Sequence, residues 1–199
     1  MPIFFYCFNL AVLRVRVMLH PVAEMPKFQG VLSEWLFGGL PQQSWFAHLL
    51  VFFLVFSQAV LVNLLVARFR VANDLTLYPG VFYCLIASFM PDFLCLSSLL
   101  LANTFLIISA FFLFDVYKNN YASARIFDAG LWIGVASLFH FSFAIFAVWG
   151  LISLSILRGI RPKEWLMFLI GLFVPYFYLA RIFFGMTIWA TWGDIFIRI

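Results

Sequence analysis

Three ionisable residues could do chemistry in an otherwise oily chain. His140 lies in Ala136-Ser137-Leu138-Phe139-His140-Phe141-Ser142, inside an apolar stretch. An ionisable side chain at membrane depth is a functional candidate by default. The plainer alternative is that His140 caps the turn of a helical hairpin, close to water. Asp128 stands just after Arg125 and opens the same stretch. Its carboxylate could hold a cation or a sugar hydroxyl, or it could sit at a helix N-terminus, where the dipole favours an acid. Arg181 is the third candidate, on the side of the membrane opposite the main basic clusters.

Other polar groups point to packing. Gln58, Asn63 and Asn103 lie within strongly apolar runs. Their amides need partners in a dry interior, so interhelical hydrogen bonds are expected, with an amide-lined substrate path as the alternative. Gly130 and Gly134 form G-x-x-x-G, a spacing that lets helices approach closely in lipid. Asp115 and Lys118 read as a solvated loop pair, and Asp92 after Pro91 as a loop residue. Gly38-Gly39 lacks the Lys and Ser/Thr that a phosphate loop needs. His20, His48 and His140 are widely separated and Cys7, Cys84 and Cys95 form no C-x-x-C, so no metal or cofactor is expected.

The elements that must position these residues are membrane helices. The chain is 66% hydrophobic and only 10% charged, with a mean hydropathy of +1.08. Soluble domains are about half apolar and a quarter charged. Phe46–Ala67 and Phe93–Phe114 are 22-residue runs almost free of charge. Each reaches roughly 33 Å as a helix, enough for a ~30 Å hydrocarbon core. Ile3 to Leu19 reads as a short first span and Leu75 to Met90 as a short third one. The stretch 127–157 is too long for one upright crossing. Bringing Arg158, Arg161 and Lys163 to the side of Arg68/Arg70 and Lys118/Arg125 requires two passes, turning near Leu138 to Ser142. A last span runs from Glu164 to Phe184, with a kink expected at Pro175. The tail from Met186 reads as an interfacial helix or a shortened span. Between residues 20 and 44, Phe28, Val31, Leu32, Trp35 and Leu36 recur at helical spacing, with Ser33 and Glu34 opposite, as in an interfacial amphipathic helix. Trp45, Trp149, Trp165, Trp189 and Trp192 are expected near span ends.

Two stretches carry a family resemblance. One is Phe127-Asp128-Ala129-Gly130-Leu131-Trp132-Ile133-Gly134-Val135-Ala136-Ser137-Leu138-Phe139. The other is Lys163-Glu164-Trp165 with Gly171-Leu172 and Pro175-Tyr176. With Gln58-Ala59 and Asn63-Leu64, they resemble an uncharacterised family of polytopic inner-membrane proteins of the Bacteroidota. The resemblance covers roughly residues 45–180 and implies a location but no assigned activity. Family members have a longer first span and more chain at the C-terminus, so shortening at one or both ends is expected. The run from Gly130 to Ser142, followed by an apolar helix and a basic loop, is also similar to membrane glycan polymerases and transferases that use lipid-linked sugars.

The sequence therefore leads to an all-α fold, a polytopic transmembrane helix bundle of about six to seven spans forming one integral membrane domain, 1–199. The expected location is the inner membrane. The bilayer and other membrane-protein subunits are the expected partners, and nucleic acid is not. The leading functional expectation is a non-catalytic scaffold or subunit of an envelope complex. The alternative is a glycan transferase or polymerase relative, with His140, Asp128 and Arg181 as its site residues.

Overall fold

The computed structural model describes residues 30–37, 45–69, 78–90, 93, 95–117, 122–159 and 161–197. Seven α-helices follow one another there, and no strand occurs among the described residues. They are α1 (Val31–Phe37), α2 (Trp45–Arg68), α3 (Tyr78–Phe89), α4 (Ser98–Asp115), α5 (Ser123–Phe139), α6 (Phe146–Arg158) and α7 (Pro162–Ile197). A 3₁₀ turn, Phe141–Ile145, leads into α6.

Side-chain pairings fix the helix directions. Gln58 meets Thr104 and Arg68 meets Asp115, so α2 and α4 run parallel. Tyr83 reaches Gln58 while Gly80 reaches Asn63, which sets α3 antiparallel to α2. Ser109 bonds the Ala129 carbonyl and Ser98 approaches His140, so α5 returns against α4. A Cβ on Gly150 would touch Ile133, and Leu154 shares a core with Ile126, so α6 turns back along α5. Gly130 lies against Phe168, Gly134 against Leu172 and Ser137 against Tyr176, so α7 runs parallel to α5. Arg68, Arg125, Arg158, Arg161 and Lys163 consequently gather at one end, the basic end. His140, Ser98 and α1 lie at the other, the far end.

Helix α5 is the centre of the bundle, clamped between α4 and α7. Its small residues make this possible. A Cβ on Gly130 would strike the Phe168 carbonyl, one on Gly134 the Leu172 carbonyl, and one on Gly171 the Phe127 carbonyl. The G-x-x-x-G spacing is thus a backbone-to-backbone contact surface. The outward faces are the reverse of a soluble protein's: Phe53, Phe89, Ile156 and Phe177 are all exposed, while Gln58, Ser97, Ser98 and Ser109 are buried. That arrangement suits hydrocarbon as solvent.

Four helical segments are long and apolar enough to cross a bilayer: Trp45–Arg68, Ser98–Asp115, Phe141–Arg158 and Pro162–Gly185. The protein is therefore a membrane helix bundle. The expected count of six to seven spans is met only in part. Helix α3 has 12 residues, about 18 Å, and α5 has 17, about 25 Å, both short of the ~30 Å core. The expected first span, Ile3–Leu19, lies outside the described residues, as do Cys7, Gly38-Gly39, Asp92 and Lys118.

Several boundaries differ from expectation for local reasons. Helix α4 starts at Ser98 rather than Phe93, because the Ser97 hydroxyl accepts the Leu100 N–H and caps it there. The stretch 127–157 breaks where expected, at His140, with an extended backbone (φ −148°, ψ 110°). No glycine or proline makes this turn. Helix α1 serves it instead: Ser33 donates to the Phe139 carbonyl, and Gly30 packs directly on the carbonyls of Leu138 and Phe139. Ser33 is therefore fully buried, against expectation, and Trp35 is 66% exposed, while Leu32 packs on the core and Glu34 is exposed as the pattern anticipates. The α6–α7 link is compact because Gly159 adopts φ +77°, which favours glycine, and Pro162 opens α7 with its φ already set. Helix α7 runs through Pro175 and continues without a break to Ile197, so the tail is neither a separate interfacial helix nor a separate span. Trp149 falls in the middle of its segment, not at an end.

Candidate functional site

The most polar point of the interior lies where α2, α3 and α4 meet. The Gln58 amide donates to the Leu100 carbonyl (2.8 Å) and to Thr104 Oγ1 (2.6 Å). Its Oε1 accepts the Tyr83 hydroxyl at 2.6 Å, and Asn103 Nδ2 donates to that hydroxyl at 2.7 Å. Thr104 Oγ1 in turn donates to the Leu100 carbonyl. Lower on α2, Asn63 Oδ1 accepts the Gly80 N–H at 2.9 Å, at the first turn of α3, where helix N–H groups lack internal partners. The three amides read from the sequence therefore bond between helices. Tyr83 and Thr104, which join them, carried no signal of their own in a run of aromatic and aliphatic residues.

The far end holds His140. Its Nδ1 lies 3.3 Å from Ser98 Oγ, and its ring stands edge-on to Phe143 at 5.7 Å between centroids. Its backbone closes α5 through the Ala136 carbonyl and opens the 3₁₀ turn by accepting the Phe143 N–H. His140 is thus the junction residue of the α5–α6 hairpin.

Asp128 is not brought to it. Asp128 lies 12 residues back along α5, about 18 Å nearer the basic end. It is half-buried within the second turn of α5 rather than at its opening, because the helix already begins at Ser123. Arg181 is exposed on α7 and lines an outward groove on that helix.

The basic end carries two ion clusters. Asp115 is the last residue of α4 rather than a loop residue, and the expected pairing with Lys118 falls outside the described residues. The Asp115 side chain is only 17% exposed and takes Arg68 from α2 at 3.0 Å and Arg125 from α5 at 3.4 Å. The guanidinium of Arg68 also lies 4.9 Å from the Phe111 ring centroid, and that of Arg125 lies 5.5 Å from Phe112, within cation–π range. In the second cluster, Glu164 Oε1 faces Arg158 at 3.6 Å and Arg161 at 3.7 Å. Glu164 Oε2 and Trp165 Nε1 beside it are buried without a hydrogen-bond partner. Among the described residues no three His, Cys, Asp or Glu side chains converge as metal ligands would.

Gln58, Tyr83, Asn103 and Thr104 bond to one another, and Arg68, Arg125, Arg158 and Arg161 pair with Asp115 or Glu164 at one rim. Fold and polar sites together define a helical integral membrane protein. Comparison with family models, curated proteins and solved structures finds no match to this chain.

Proposed function

We propose that the chain is a multi-pass protein of a bacterial inner membrane, acting without catalysis as a scaffold or subunit of an envelope complex. In this reading α2 to α7 each traverse the bilayer, with α3 and α5 as short crossings, and the basic end faces the cytoplasm. The clustering of Arg68, Arg125, Arg158, Arg161 and Lys163 at one rim supports that orientation.

The observation that carries the scaffold reading is how the interior polar groups are used. Gln58, Tyr83, Asn103 and Thr104 bond to one another, and Ser109 and Ser137 bond to neighbouring helices. A transfer site needs polar groups converging on a space a substrate can enter. The roughly 18 Å between Asp128 and His140 weighs against the glycan-transferase alternative. Replacing His140 by Phe separates the readings. The scaffold reading expects unchanged surface glycan and unchanged membrane abundance. Loss of glycan at normal abundance would instead establish the transferase. Isolation from native membranes after in-cell crosslinking, with the crosslinked sites mapped by mass spectrometry, would identify the assembly. A chain that yields only lipid-surrounded monomers would contradict the subunit role.

A further inference from the structure

The outward face of α7 carries two apolar grooves that flank a single arginine. The longer, about 730 Å³, runs from Leu166 past Ile170 and Phe173 to Arg181. That is 15 residues, about 22 Å, longer than the ~15 Å depth of one hydrocarbon leaflet. The shorter, about 260 Å³, lies between α1 and α7, with Trp35, Leu138 and Ile182 among its walls. Tyr178 borders both, and Arg181 is its neighbour one turn on. Every other described lysine or arginine side chain sits at the basic end, so Arg181 is the one such residue at the far end among the described residues. Ser137 contacts Tyr176, so Arg181 stands about 8 Å beyond that contact, level with the turn that follows α5. This is headgroup depth if the bundle spans the bilayer.

We propose that this face is a binding site for one anionic glycerophospholipid, with its phosphate on Arg181, one acyl chain along the long groove and the other entering the short one. Arginine matches a phosphate with paired N–H donors, and an exposed guanidinium at this depth is best served by an anion there. The fully apolar walls below it suit acyl chains. The inference rests on the membrane setting and not on the scaffold role.

The test uses the full chain in nanodiscs of equal parts phosphatidylglycerol and phosphatidylcholine, released into the gas phase for native mass spectrometry. Wild type is expected to retain one phosphatidylglycerol. Arg181→Gln should lower that retention about fivefold, the effect of one basic residue at an anionic membrane surface. Arg181→Lys should keep most of it. Ile170→Trp, which fills the groove without changing charge, should also lower it, and Arg161→Gln at the basic end should leave it unchanged. Absence of a retained lipid in wild type, equal retention by Arg181→Gln, or equal loss with Arg161→Gln would overturn the proposal. So would a retained mass that is a polypeptide. None of these results bears on whether the chain acts as a scaffold.

Discussion

Gln58 shows how one side chain can tie three helices together. Both N–H bonds of its amide and its carbonyl oxygen are engaged, and all the partners lie on α3 or α4. Gln58→Leu would leave the Tyr83 hydroxyl without its acceptor and the Leu100 carbonyl with only Thr104, in a setting where water cannot substitute. Interhelical hydrogen bonds in lipid are worth about 0.6–2 kcal/mol each. We therefore expect Gln58→Leu to destabilise the bundle by about 1–3 kcal/mol and Tyr83→Phe by about 1 kcal/mol, read as lower midpoints of thermal unfolding in detergent. Because the two residues share one bond, the double variant should lose less than the sum of the singles. Strict additivity would mean the network is not formed. At this scale the sequence was half legible. An amide in an apolar run announces that it needs a partner, but the partner's identity is tertiary information. Tyr83 carries no signal of its own until α4 brings Asn103 to it. Asp115 is similar: Arg68 and Arg125 are far from it along the chain and reach it only once three helices meet.

At the level of elements, α5 against α7 is the contact on which the bundle depends most. The carbonyls of Phe168 and Leu172 occupy the space where side chains at 130 and 134 would go. Gly134→Ile must push the helices apart or deform them, and overpacking of this kind costs about 1–3 kcal/mol. We expect a lower unfolding midpoint and less protein in the membrane. Gly185→Val is the control, because nothing lies within 4 Å of a Cβ there, and it should behave as wild type. Equal behaviour of the two variants would contradict the packing described. The spacing of the two glycines was visible in the sequence, and so was the helix break near residue 140. What makes that break was not. A turn without glycine or proline needs its orphan carbonyls satisfied from elsewhere, and Ser33, 106 residues from Phe139 along the chain, does this. The same contact explains why Ser33, read on the polar face, is buried beside Leu32 while Glu34 and Trp35 stay outside.

For the whole molecule, composition spoke clearly and span count did not. Oily helices follow from so little charge, and four segments meet the length a bilayer demands. Helices α3 and α5 are too short to be recognised by length alone, yet direction reverses at each of them. The alternation from α2 to α7, with the described basic side chains but Arg181 at one rim, is the claim on which orientation, proposed role and lipid site all depend. Single-cysteine labelling in intact cells tests it most directly. In a chain with Cys7, Cys84 and Cys95 changed to serine, Ser142→Cys marks the far end and Lys163→Cys the basic end. A membrane-impermeant maleimide should label position 142 in intact cells and position 163 only after the membrane is opened. Labelling of both positions from the same side would contradict the account.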